Sequence, residues 1–99
     1  MKHAMDTTKQ DGRTIYTYGE KKHGGYYVTI NVHDRGYAWM AVWYCDEEAG
    51  DCDVATEFDM AMQKVELRRA AGRMMERLCE GGYHLDAIRL LTDLVQDVA

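Results

Sequence analysis

The chain has 99 residues, 46% of them hydrophobic and 29% charged, with a net charge of −5 at pH 7. That length supports one modest core, and the composition excludes wholesale disorder. No run approaches the ~18 consecutive apolar residues of a membrane span, and the acidic balance argues against direct binding of nucleic acid or an anionic membrane.

The acidity is regional. Residues 36–63 hold seven acids and neither Lys nor Arg, so this segment carries −7 and the rest of the chain +2.

In chain order, residues 1–12 (MKHAMDTTKQDG) show no periodicity and no apolar leader run. They predict a flexible N-terminal tail ahead of a single α+β domain over 13–99. From residue 13 a period of two sets in. TIYTYGE (14–20) reads as a first strand and EKKHGG (20–25) as a charged loop closed by glycine. YYVTINVH (26–33) is a second strand, in which Tyr26, Val28, Ile30 and Val32 alternate with Tyr27, Thr29, Asn31 and His33. Asp34-Arg35-Gly36 has the composition of a three-residue hairpin loop, with Gly36 able to take the left-handed conformation.

YAWMAVWYC (37–45) returns as the third strand. With His33 opposite Tyr37, one face carries Tyr26, Val28, Ile30, Val32, Ala38, Met40, Val42 and Tyr44, an apolar set suited to a core. The other carries Tyr27, Thr29, Asn31, His33, Tyr37, Trp39, Ala41 and Trp43, polar and aromatic together. A slip of one residue would mix the two sets, so the sorting itself specifies the register.

The stretch CDEEAGDCDVATEFDM (45–60) packs seven carboxylates and two cysteines into sixteen residues. It reads as an acidic loop running into a helix, with Asp53 as N-cap and Glu57 and Asp59 near the positive end of the helix dipole. Helical spacing joins Phe58, Ala61, Met62 and Val65 to Ala71, Met74, Met75, Leu78 and Cys79, and Gly81-Gly82 supplies the stop. The last segment predicts a second helix with Leu85, Ile88, Leu91, Leu94, Val95 and Val98 on one broad face. The expected fold is α+β: a three-stranded antiparallel sheet followed by two helices packed on one of its faces, βββαα.

Chemistry-bearing patterns are weak. Asp46 to Glu57 superficially evokes a calcium loop, but Gly50 takes a ligand position and Asp51 stands where the sharp turn needs glycine. Cys45, Cys52, Cys79 and His84 offer a Cys3His zinc set without the close C-x2-4-C pair that pre-forms half a site. Cys45 and Cys52 also lack the C-x-x-C spacing of a redox pair. An odd cysteine count argues for reduced thiols in a cytoplasmic chain, with Cys79 serving as a small core residue. The chain has no serine, no Walker loop and no G-x-G-x-x-G. The expectation is no cofactor, no metal and no enzymatic activity.

What remains is a binding surface. Tyr27, Tyr37, Trp39 and Trp43 form an aromatic sheet face, and Tyr and Trp dominate interface energetics. Asp46, Glu47, Glu48 and Asp51 cluster without cations at a self-repulsion that folding does not require. Together they predict a non-enzymatic module that docks an acidic edge and an aromatic face on another protein, one with a basic, nucleic-acid-handling surface. In profile, though not by any motif, the chain resembles small acidic phage or mobile-element inhibitors such as anti-CRISPR and anti-restriction proteins. Two alternatives stand beside this one. The first is a homodimeric antitoxin or regulatory subunit, the row Arg69, Arg73 and Arg77 meeting the acidic loop of a second copy. The second is a small cysteine-ligated metalloprotein.

Overall fold

The computed structural model describes residues 2–48, 50–61, 66–82 and 84–98. Five strands precede two helices: β1 Met5–Gln10, β2 Arg13–Tyr18, β3 Tyr26–His33, β4 Tyr37–Cys45, β5 Cys52–Ala61, α1 Glu66–Glu80 and α2 Leu85–Val98. The strands form one antiparallel meander in the order β1-β2-β3-β4-β5. The α+β class holds, but the expected three-stranded sheet is corrected to five.

Both added strands have a physical reason. β4 is buried through Met40, Ala41 and Val42, and a buried strand needs a partner on each side because unpaired peptide groups there would have no water. β3 supplies one side and β5 the other. Residues 52–61 are therefore a strand where a helix start was expected, and Asp53 is a strand residue paired with Tyr44 rather than an N-cap. Met62 and Val65, assigned to that helix by spacing, lie outside the described residues. At the other edge, residues 5–10 of the expected tail pair with β2 across the two-residue Asp11-Gly12 connection, where Gly12 takes φ 75°.

The β3–β4 hairpin forms in the register the sequence predicts, from Tyr26 opposite Tyr44 to Val32 opposite Ala38. Gly36 closes its loop at φ 97°, its N–H bonded to the His33 carbonyl at 2.9 Å. Between Val42 and Trp43 the β4–β5 register shifts by a bulge, with Val42 opposite Thr56 and Trp43 opposite Val54. A bulge of this kind bends and twists an edge strand.

Both helices lie on the face carrying Tyr18, Val28, Met40 and Val42. α1 contributes Ala70, Ala71, Met74 and Leu78, and α2 contributes Ala87, Leu90, Leu91 and Leu94. These positions recur at helical spacing, so each helix buries one stripe, and a fully buried Leu or Met contributes about 1.5–3 kcal/mol. Two sequence expectations fail at the helix ends: Cys79 is exposed rather than buried, and Leu85 is 49% exposed.

The N-terminus is strapped to α2. The buried Tyr18 hydroxyl donates to the Asp97 carboxylate, which also accepts the Lys2 backbone N–H at 3.0 Å. His3 Nε2 lies 2.9 Å from Asp93, and Lys2 Nζ reaches Asp93 and Gln96. Burial, then the hydrogen bond to Asp97, pushes the Tyr18 phenol upward. The bonds from His3 and Tyr18 hold Asp93 and Asp97 below the usual carboxylate range.

Candidate functional site

With both helices on one side, the opposite sheet face is left to its own side chains among the described residues. Tyr27, Thr29, Asn31 and His33 of β3 lie beside Tyr37, Trp39, Ala41 and Trp43 of β4, and the β4–β5 register adds Val54, Glu57 and Asp59. All four aromatics singled out in the sequence share this face, but their environments differ.

Trp43 is the fixed point. Its indole Nε1 donates to Thr29 Oγ1 at 2.8 Å across the β3–β4 ladder. Tyr27 stacks on it at 6.0 Å with planes 6° apart, and Trp39 meets it edge-on at 6.2 Å and 90°. Edge-on and offset rings satisfy the aromatic quadrupole. Packed this way, the rings cover what no helix covers. Ala41 between the two indoles is 0% exposed and Tyr27 only 9%, while Trp39 and Trp43 are half-buried. Burial raises the Tyr27 phenol above its ordinary value. At the other end of the strand Tyr37 stacks on His33 at 4.4 Å and stays 57% exposed. The face is a packed aromatic platform with one protruding ring, not four rings standing in solvent.

The acidic loop is a closed turn. Cys45 and Cys52, directly opposite in the β4–β5 ladder, form a disulfide, which overturns the expectation of reduced thiols. Inside it, the Asp46 N–H donates to the Asp51 carbonyl at 2.8 Å and the Glu48 N–H to Asp46 Oδ1 at 2.7 Å. The β2–β3 loop braces the turn from the side: the Gly24 N–H donates to the Cys45 carbonyl at 2.8 Å, and Cys45 N–H to the Gly25 carbonyl at 3.0 Å. This loop carries Lys21, Lys22 and His23, with His23 Nδ1 3.4 Å from the Glu47 carbonyl. The fold thus brings cations beside a segment that has none in sequence. Glu47, Glu48 and Asp51 are nevertheless exposed.

Cys45 follows Trp43 by two residues, so the turn lies at the Trp43–Tyr27 end of the face. Tyr37 sits at the far end of β4, about 26 Å away at strand rise. The structure joins the turn with Tyr27, Trp43 and Trp39, and leaves Tyr37 apart.

Glu57 and Asp59 are the additions that the sequence reasoning missed. They border the platform on β5, opposite Ala41 and Trp39, and among the described residues their carboxylates have no hydrogen bond or ion pair. The available signal was the alternation Thr56, Phe58, Met60, which fits a strand as well as a helix start over so short a run.

The metal sets are not assembled. The sulfurs of Cys45 and Cys52 are bonded to each other and Cys79 lies on α1, so the Cys3His set is dispersed, while Glu57 sits in mid-strand away from a calcium-loop geometry. Among the described residues no group of three or more His, Cys, Asp and Glu could hold a metal ion. The basic row on α1 is partly engaged within the chain. Arg73 pairs with Glu76 at 3.6 Å, and Arg77 bonds the Glu57 backbone carbonyl at 2.5 Å while lying 5.9 Å over the Phe58 ring. A separate cleft of about 510 Å³ opens between the β2–β3 loop and α2, its walls mixing His3, Lys22 and Arg89 with Glu20, Asp86 and Asp93. No described helix is long and apolar enough to cross a membrane. Comparison with known protein families, curated proteins and solved structures found no match.

Proposed function

We propose that this chain is a non-enzymatic protein-binding module that docks its open sheet face and the acidic end of its β4–β5 hairpin on a basic surface of another protein. One observation carries the proposal: a sheet whose two described helices both pack on one face presents, on the other, interlocked rings of Tyr27, Trp39 and Trp43 bordered by the carboxylates of Glu57 and Asp59, which have no hydrogen bond or ion pair among the described residues. Pre-packed aromatics lose little side-chain entropy on binding, which is the property of an interface anchor. Carboxylates around them steer a cationic partner and penalise an anionic one.

Basic protein surfaces mostly serve nucleic acid. A module of this charge that occupies one displaces the phosphate backbone, which makes inhibition of a nucleic-acid-handling protein the working function. The test is competitive. A partner bound by the immobilised chain should be released by duplex DNA and by salt, and should be lost when Glu57 and Asp59 become Gln and Asn together with neutralised Asp46, Glu47, Glu48 and Asp51. Binding that survives neutralisation, or that DNA does not displace, contradicts the proposal.

A further inference from the structure

The outer edge of β5 has its own geometry. Cys45 spends both its N–H and its C=O on the β2–β3 loop, bonding Gly25 and Gly24. In an antiparallel ladder the direction of these groups alternates along the strand. Cys45, Trp43, Ala41 and Trp39 therefore turn their peptide groups toward β3. The residues opposite them on β5, namely Cys52, Val54, Glu57 and Asp59, turn theirs outward, away from the sheet. Among the described residues β5 pairs with β4 alone. One outward carbonyl, that of Glu57, already accepts a guanidinium, from Arg77 of α1.

We propose that this edge accepts an extended Arg- or Lys-bearing segment of the partner as a sixth strand, whose basic side chains fall beside Glu57 and Asp59 on the open face. The proposal rests on the docking surface argued above and names how the partner engages it.

Three features select this occupant. Outward peptide groups at alternate residues are the template for strand addition. The side chains of those same residues lie on the open face, so an added strand places its own side chains about 5 Å from Glu57 and Asp59. A second copy of this chain paired β5 to β5 would instead set acid against acid. The acids thus guard the edge against self-pairing while favouring a cationic strand. Beyond Asp59 lies Trp39, directly opposite it on β4, within reach of a long guanidinium side chain seeking an aromatic face. Arg77 shows the chemistry within the chain, since its guanidinium bonds the edge carbonyl and lies over the Phe58 ring. It holds the place that the incoming strand takes.

The test uses the whole oxidised protein and a synthetic nonapeptide of alternating Arg and Thr. Two control peptides accompany it: one N-methylated at alternate residues so that it cannot pair, and one with Glu in place of Arg. The expected result is slowed hydrogen exchange at the amides of Val54, Glu57 and Asp59, affinity about tenfold lower for the methylated peptide, and no binding of the Glu peptide. Arg77→Gln should tighten binding several-fold by releasing the Glu57 carbonyl. Equal affinity for the methylated and unmodified Arg peptides, without protection on β5, overturns strand addition and leaves the acidic docking face standing. Failure of both Arg peptides to bind, or binding of the Glu peptide, overturns both.

Discussion

The disulfide makes a quantitative prediction. Cys45 and Cys52 face each other across the β4–β5 ladder with a sequence separation of seven. In the chain-entropy account, a cross-link closing a loop of that size disfavours the unfolded ensemble by about 2.4 kcal/mol. For a chain near 100 residues each kcal/mol moves the melting temperature by about 4–8 °C, so complete reduction should lower it by about 10–20 °C. The sheet should survive at room temperature, because the strand pairing from Tyr37 to Tyr44 does not depend on the cross-link. Thermal unfolding followed by circular dichroism, with and without a dithiol reductant, measures the shift. Thiol titration of the denatured protein checks the premise: one reactive thiol, Cys79, before reduction and three after. Three thiols in the unreduced protein, or a melting temperature indifferent to reduction, would refute the reasoning.

Other perturbations separate the remaining forces. Trp43→Phe keeps the ring stack and removes the bond to Thr29, so stability should fall by about 1 kcal/mol in urea titration, more if the hydroxyl of the buried Thr29 stays unpaired. Gly24→Ala should cost about 1–2 kcal/mol, because Gly24 sits at φ 72° and an added Cβ would stand 2.6 Å from Glu47 Oε1; Glu47→Ala in the same chain should recover the part due to the clash. Asp93 and Asp97 are held below their unfolded pKa values, so the unfolded state binds protons first as the solution is acidified. Stability from the N-terminal strap is therefore fully present above the ordinary carboxylate range, near pH 4, and is lost as pH falls through the lower native values. Asp97→Asn should flatten that acid limb in pH-dependent chemical denaturation.

The parts of this fold legible in the sequence were those whose local and global signals agree. In β3 and β4, period-two alternation, a Gly36 hairpin loop and the sorting of Val28, Ile30, Met40 and Val42 from Tyr27, Trp39 and Trp43 all specify one register. Gly81-Gly82 marked the end of the first helix, and the stripe Ile88, Leu91, Leu94 and Val95 marked the second, but the start of the first helix was placed too early. β5 was hidden because Glu57, Met60 and Ala61 favour helix intrinsically, and only pairing with the buried β4 overrides that preference. β1 was hidden by its polarity: MDTTKQ is an edge strand with five exposed residues, and Asp11-Gly12 was its one clear hairpin signal. The disulfide follows from β5, since only the hairpin brings Cys52 opposite Cys45. For the site, the aromatic face was legible, but its self-packing and its Glu57–Asp59 border required the fifth strand.

Amide chemical-shift mapping of a complex with a basic, DNA-displaceable partner tests the central claim most directly. The account predicts shifts concentrated on β4, β5 and the 45–52 turn, with the Trp39 and Trp43 indole signals among the largest and the exposed sides of α1 and α2 unchanged. Shifts confined to the helical layer or to the cleft beside Arg89, with both indoles unmoved, would contradict it.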